Sequence, residues 1–360
     1  MKLALKLAAK GAGWVSPNPM VGAVVVKDGQ VVGQGYHRRV GAPHAEVEAL
    51  RQAGEASRGA DLYVTLEPCN HQGRTPPCTQ AILAAGVGRV CIATPDPNPQ
   101  VAGGGAEYLR SKGVEVEVGL LEKEARSLNE AWFHWVNTSR PWVIAKAACS
   151  LDGKIATASG ESQWLTGEAA RAYGHRLRHR VDAILVGINT ALSDNPQLTT
   201  RLPRGRGRGR DPIRVVLDSR LRLPLSAKLL RLDSPAPTWV ACTSEAPKEK
   251  IRAIKELGAE VLVFPPESGR VPLKPLLELL GRQQVQSLLV EGGAEVLGAC
   301  FDQRLVNRFY FFYAPKILGG REAPGVLGGR GVSLLADAHL ARNVSVRRIE
   351  LDLLISGYIR

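Results

Sequence analysis

Two stretches decide the fold of the N-terminal half: Pro43-His44-Ala45-Glu46, and Thr65-Leu66-Glu67-Pro68-Cys69-Asn70-His71-Gln72-Gly73-Arg74-Thr75-Pro76-Pro77-Cys78. The first opens an apolar helical run over 44–54, and the second carries a strand over 61–66 through Pro68 to Cys69, with Cys78 starting the next helix. One imidazole and two thiolates supply three of the four tetrahedral positions around Zn²⁺ and leave the fourth to water. That stoichiometry is catalytic. A bound metal lowers the pKa of its water, and a carboxylate that is not a ligand, here Glu46, can carry protons from that water to a leaving amine.

Working outward, helical spacing over 3–9 precedes the turn-rich Ser16-Pro17-Asn18-Pro19, and strands over 21–27 and 31–36 meet at Asp28-Gly29, a hairpin signal. A helix over 78–85, a strand over 89–93, a helix over 106–111, a strand over 114–118 and one helix over 122–135 follow. Alternation of this kind implies a layered α/β domain. Asn137-Thr138-Ser139-Arg140-Pro141 is polar and ends in proline, so the expected domains are 1–140 and 141–360. Strands recur over 142–148, 183–186, 213–218, 238–241, 260–264, 287–290 and 308–313, with helical stretches between most of them. The second domain is therefore also α/β.

At about 150 residues per domain, the 360-residue length agrees with two domains, and 44% hydrophobic residues fill two cores. The 47 Lys and Arg against 34 Asp and Glu give a net charge of +13, which points to anionic partners. Up to Arg140 there are 15 basic and 13 acidic residues, and beyond it 32 and 21. The basic excess belongs to the second half. No stretch approaches the roughly 20 apolar residues of a membrane span, and Lys6 and Lys10 interrupt any secretory apolar core, so no membrane partner is expected. Six scattered cysteines do not make a disulfide framework, and a cytoplasmic location fits them. Cys91 reads as a core residue, and His37 and His134 have no ligand-like spacing. Arg204-Gly-Arg-Gly-Arg-Gly-Arg210 reads as a solvated inserted loop.

His44-Ala45-Glu46 followed by Pro68-Cys69 and Cys78 is similar to the zinc nucleobase-deaminase signature, except that eight residues separate the cysteines instead of two. With Pro17-Asn18-Pro19, Asp96-Pro-Asn-Pro-Gln-Val-Ala-Gly-Gly-Gly105, Ser150-Leu-Asp-Gly153, Ser159-Gly-Glu-Ser-Gln-Trp164, Asp194-Asn-Pro-Gln-Leu198 and Val290-Glu-Gly-Gly293, the chain resembles the bifunctional riboflavin-biosynthesis deaminase/reductases. The long cysteine interval is itself a mark of that family.

The resemblance implies a cytidine-deaminase-like three-layer domain followed by a dihydrofolate-reductase-like α/β domain. The first would hydrolyse an amino group from a pyrimidine ribosylamino phosphate, with one Zn²⁺ on His44, Cys69 and Cys78 and Glu46 as the proton shuttle. Asn18, His71 and Arg74 are candidates for holding that substrate, with ordering of the loop as the alternative for the last two. The second domain would use NADPH, although it lacks a Gly-x-Gly-x-x-Gly run. Leu288-Leu-Val-Glu-Gly-Gly293 offers instead a strand, a glycine pair and a helix start, where backbone N–H groups bind phosphate.

By the same resemblance Ala148, Ser162, Trp164, Thr190, Asp194, Ser219, Glu291, Gly292 and Gly293 surround NADPH. Lys146, Ser162, Arg178, Leu198, Arg201 and Glu291 line the substrate. Core packing for Trp164, helix capping for Thr190 and a solvated surface role for the arginines remain the alternatives. Lys146, Asp194 and Glu291 are the groups available for proton transfer, and Arg220 or Arg222 would read the cofactor's 2′-phosphate. A homodimer or larger assembly is implied as well. A nucleic-acid partner is not expected, because the deaminase half is nearly neutral and aromatic residues, needed for base stacking, are only 5% of the chain.

Overall fold

The computed structural model describes residues 1–72, 76–98, 104–203 and 209–359. The chain divides into two compact units, Met1–Ser139 and Arg140–Arg360. Most of the arginine-glycine run, 204–208, and Arg74 lie outside the described residues.

In the first unit the strands are β1 (Gly22–Lys27), β2 (Gln30–Tyr36), β3 (Asp61–Val64), β4 (Arg89–Ile92) and β5 (Glu115–Val118). The helices are α1 (Lys2–Ala8), α2 (Ala45–Ala53), α3 (Cys78–Ala84), α4 (Gly105–Ser111), α5 (Glu122–Leu128) and α6 (Glu130–Thr138). The sheet order is β2-β1-β3-β4-β5, with β1 antiparallel to both neighbours and β3, β4 and β5 parallel. Asp28 and Gly29 both take positive φ, as a two-residue hairpin requires.

Side-chain alternation along β1 makes the layers. Ala23 and Val25 pack with Leu62, Val64, Val90, Ile92 and the apolar sides of α2, α3 and α4, while Val24 faces Ala4 and Leu7 of α1. Cys91 is buried at 1% exposure, a core position as its sequence context suggests. One expected helix over 122–135 is instead two. The break falls at Asn129, whose buried amide accepts from Met20 N (2.8 Å) and donates to Met20 O (2.9 Å). An unpaired backbone pair at Met20 would be costly in the interior, so the bend supplies its partners.

The second unit holds β6 (Trp142–Ser150), β7 (Ala183–Gly187), β8 (Ile213–Leu217), β9 (Thr238–Thr243), β10 (Glu260–Phe264), β11 (Ser287–Val290), β12 (Arg308–Ala314), β13 (Ala341–Ile349) and β14 (Asp352–Ile359). Its helices are α7 (Glu168–Arg180), α8 (Ile188–Asp194), α9 (Lys248–Glu256), α10 (Leu273–Arg282) and α11 (Ala294–Asp302). The strand order is β10-β9-β8-β7-β11-β6-β12-β14-β13. All pairs from β10 to β12 are parallel, and β14 and β13 add antiparallel edges. Those last two strands lie beyond the strands read from the sequence. Most of β13 is exposed on both faces, so it lacks the apolar alternation that marks a half-buried strand.

The chain steps outward from β7 to β10 and then returns through α10 to place β11 between β7 and β6. In open parallel sheets ligands bind beyond the carboxyl ends of the strands where the order reverses. Here that place is the end of β11. Among the described residues no helix is long and apolar enough to cross a membrane.

Candidate active sites

His44 is the N-cap residue of α2, Glu46 is its second residue, and Cys78 is the first residue of α3. Two helix starts and the segment after β3 therefore converge. His44 Nδ1 lies 3.1 Å from Cys78 Sγ and 3.6 Å from Cys69 Sγ, and the three ligand atoms are all within 4.8 Å of one another. With bonds of about 2.0 Å to nitrogen and 2.3 Å to sulfur, neighbouring ligands of tetrahedral Zn²⁺ sit roughly 3.5–3.8 Å apart. The donor set and its spacing fit that ion.

Cys69 Sγ also accepts from the backbone N–H of Cys78 (3.3 Å). The hydrogen bond with Cys78 holds Cys69 down to about 4, while Cys78 is pushed up by Cys69 and by burial. The hydrogen bond with Cys69 also raises His44. A metal replaces the thiol protons when it binds. Glu46 is 3% exposed, and burial pushes its carboxyl above the ordinary range. A carboxyl tuned upward in this way suits proton transfer near neutrality.

The segment around Cys69 is fixed from behind. Thr65 Oγ1 accepts from Gly22 N (3.1 Å), and the Glu67 carboxylate accepts from Asp96 N (3.1 Å) and Ala106 N (2.9 Å). A Cβ at Gly105 would stand 2.0 Å from Pro68 O, so only glycine lets α4 start against the strand that delivers Cys69. His37, which its spacing did not single out, is buried edge-on to His44 at 5.6 Å between centroids. Its Nδ1 donates to Pro43 O (3.2 Å) and its Nε2 accepts from Asn18 Nδ2 (3.0 Å). Burial lowers its pKa, in keeping with that neutral tautomer. Asn18 is thus linked through His37 to the side of His44. His71 is exposed and within electrostatic reach of Asp96.

In the second unit, register sets Lys146, Val186 and Glu291 one step past the paired Ala145, Leu185 and Val290. Glu291 receives Arg178 through Nε to Oε1 (3.0 Å) and NH2 to Oε2 (2.9 Å), and Lys146 Nζ lies 3.7 Å from Oε2. Burial would raise this carboxyl, yet Arg178 and Lys146 outweigh it and hold Glu291 down to about 2. Arg178 NH1 also donates to Thr199 O (3.1 Å). Arg178 is therefore engaged on both sides, whereas Arg201 is exposed on the adjoining segment and Leu198 is buried.

The candidate cofactor residues Ala148, Thr190, Ser219 and Glu291 to Gly293 lie on or just past β6, β7, β8 and β11, which are neighbours in the sheet. Gly292 is packed so closely on β7 that a Cβ would stand 2.6 Å from Val186 Cα. Gly293 takes φ +48 immediately before α11, and Thr190 Oγ1 faces it. Thr190 is the third residue of α8, whose N-cap is Gly187. Trp164 is 61% exposed, which removes a core role; Arg171 lies 4.8 Å over its ring and Lys316 Nζ donates to its carbonyl at 2.7 Å. Ser219 Oγ accepts from Val271 N (3.2 Å), Ser162 is half-buried, and Asp194 closes α8 on the surface.

Residues 1–94 match the cytidine and deoxycytidylate deaminase zinc-binding region, and residues 141–354 match the RibD C-terminal domain. The riboflavin biosynthesis protein RibD of Aquifex aeolicus is 46% identical over 355 residues, covering 99% of this chain and 96% of its own. The protein of the same name from Actinobacillus pleuropneumoniae is 44% identical over 355 residues, covering 99% and 93%. Among solved structures, a diaminohydroxyphosphoribosylaminopyrimidine deaminase/5-amino-6-(5-phosphoribosylamino)uracil reductase from Thermotoga maritima superimposes with a TM-score of 0.86 at 37% identity, covering 100% and 97%. With both halves matched and nearly the whole length aligned, the chain belongs to the RibD family, the bifunctional deaminase/reductases of riboflavin biosynthesis.

Proposed function

We propose that the first unit hydrolytically deaminates 2,5-diamino-6-(5-phosphoribosylamino)pyrimidin-4-one and that the second reduces its ribosyl chain to ribityl with NADPH, giving 5-amino-6-(5-phosphoribitylamino)uracil. The observation that carries this reading is that each unit has its own set of reacting groups, a His-Cys-Cys cluster beside a buried glutamate in one and a Lys-Arg-Glu cluster beside a glycine turn in the other.

In the first unit His44, Cys69 and Cys78 would hold Zn²⁺, which when bound would supply Lewis-acid activation of the attacking water. Glu46 would carry one proton of that water to the ring nitrogen as the oxygen adds, and then the second, from the resulting hydroxyl, to the amino group, which leaves as ammonia as the carbonyl forms. Asn18 orients the pyrimidine, backed by His37, and His71 and Arg74 hold its polar substituents.

In the second unit, NADPH when bound would supply the hydride for C1 of the ring-opened imine, and the proton for its nitrogen would come from one of Lys146, Asp194 and Glu291. Backbone N–H groups at the start of α11 receive its pyrophosphate, and Gly293 admits the close approach. Ala148, Ser162, Trp164, Thr190, Asp194 and Ser219 complete its contacts. Lys146 and Glu291 attend the reacting carbon, while Ser162, Arg178, Leu198 and Arg201 line the phosphoribosyl chain. Arg220 or Arg222, the latter donating to Asn189 Oδ1 (2.7 Å) at the start of α8, would read the 2′-phosphate. Equal Michaelis constants for NADPH and NADH would overturn this assignment.

Exposed Val344, Val346 and Leu351 on the β13–β14 hairpin favour a homodimer, which light scattering checks. Six unpaired cysteines favour the reducing cytoplasm. The deciding experiment supplies the diaminopyrimidine phosphate and follows ammonia release together with NADPH absorbance. Ammonia without NADPH consumption, or neither signal, would reject the two-step reading.

A further inference from the structure

α7 turns one face toward the Glu291 cluster. Gly174 lies against Lys146, whose Nζ would be 4.0 Å from a Cβ placed there, and Arg178, four residues on, makes the ion pair with Glu291. His175 sits beside both on the same face and is half-buried. Its Nδ1 accepts a hydrogen bond from Arg201 N at 3.2 Å, and one helical step away Arg178 NH1 donates to Thr199 O at 3.1 Å. Two side chains three residues apart on one helix face therefore grip the backbone of 199–201 at two points.

From the opposite side Thr200 N donates to Asp211 Oδ1 (2.7 Å) and Thr200 Oγ1 to Arg210 O (2.8 Å). Leu198, just before the gripped residues, has φ +56, a backbone state disfavoured for a leucine. Contacts from both sides hold that turn in place. The imidazole can accept from Arg201 N only while Nδ1 carries no proton. Burial, together with the charges of Arg178 and Arg201, lowers its pKa to about 4 and keeps it in that form at neutral pH.

We infer that His175 is a positioning residue for the reductase substrate, fixing the Leu198 to Arg201 turn relative to the Arg178–Glu291 pair. This rests on the assignment of Leu198 and Arg201 to the phosphoribosyl chain. The imidazole meets the backbone of Arg201, whose exposed guanidinium donates to Gln197 Oε1 (3.3 Å), so removal of the imidazole loosens the phosphate end of the pocket while the hydride end stays built.

The test uses full-length protein carrying His175→Leu, which cannot accept, and His175→Asn, whose Oδ1 takes the place of Nδ1. One hydrogen bond is worth up to about tenfold in an equilibrium constant. Accordingly His175→Leu is expected to raise KM for the deaminated phosphoribosylamino substrate about tenfold, with a smaller change in kcat. His175→Asn is expected to return KM to within about threefold of the parent. NADPH dissociation constants from fluorescence titration are expected to be unchanged in both, which also reports that the unit is folded. An unchanged KM in His175→Leu, an equal defect in His175→Asn, or parallel loss of NADPH binding would overturn the inference. Arg201→Ala separates it from its premise: if that variant binds substrate normally, the assignment of the phosphate end fails first.

Discussion

Arg178 and Glu291 meet as a two-pronged ion pair, Nε to Oε1 at 3.0 Å and NH2 to Oε2 at 2.9 Å, joining α7 to the end of β11. The side chains are only 17% and 6% exposed. The arginine is thus bound to a carboxylate, and the pair lies at the place where the strand order reverses.

Glu291→Gln leaves Arg178 and Lys146 without their carboxylate. Breaking one side of a buried pair costs about 3–5 kcal/mol. The native carboxyl is depressed to about 2 from an ordinary 4.5, so its stabilisation is present above pH 4.5 and is lost as pH falls toward 2. Urea unfolding across that window should show a shallower pH slope in the variant than in the parent. Identical slopes would mean that the pair is not formed.

Glu46→Gln keeps the shape of the buried side chain and removes its proton exchange. Deamination should fall by roughly 10²–10⁴-fold, while reduction of the already deaminated intermediate by NADPH continues at the parent rate. Both rates are read from one preparation. Loss of both would contradict independent reacting groups.

Stripping the protein with a strong chelator should remove one equivalent of zinc, measured by plasma emission, and abolish deamination. Zinc should restore it. Cys69→Ser and Cys78→Ser should each lose metal without loss of NADPH binding, because three ligands already leave one position open and a site with two binds zinc poorly. Zinc retained at full occupancy in both variants would place the ion elsewhere.

Gly292→Ala places a methyl carbon 2.6 Å from Val186 Cα and 2.9 Å from Gly187 N, backbone that cannot rotate away. Overpacking of this kind costs about 1–3 kcal/mol, and β7 and the start of α11 must separate. The melting temperature should drop, and NADPH affinity with it. A variant as stable as the parent would show that the close approach is relaxed in solution.

Much of the first site was legible because its chemistry is local. His44 and Glu46 share one helix start, and Cys69 and Cys78 bracket one loop. Strand alternation in β1 and the Asp28-Gly29 turn were equally readable, since each depends on a few adjacent residues. The break at Asn129 was not, because its cause is a pairing with Met20 far away in the chain. His37 carried no spacing signal for the same reason: its partners are Asn18 and the carbonyl of Pro43. For His175 the three-residue step to Arg178 was a faint signal, without meaning until the 199–201 segment was in place.

By itself the sequence determined that the chain makes two α/β units and that one of them carries a ligand set for zinc beside a glutamate. Periodicity and short-range ligand spacing are properties of neighbouring residues, so they survive without coordinates. Only the tertiary structure decided how the second unit is assembled. Returning β11 between β7 and β6 brings Lys146, Arg178 and Glu291 together from three distant segments. Charges in a buried cluster are set by what the fold places around them, and that arrangement makes Arg178 the partner of Glu291.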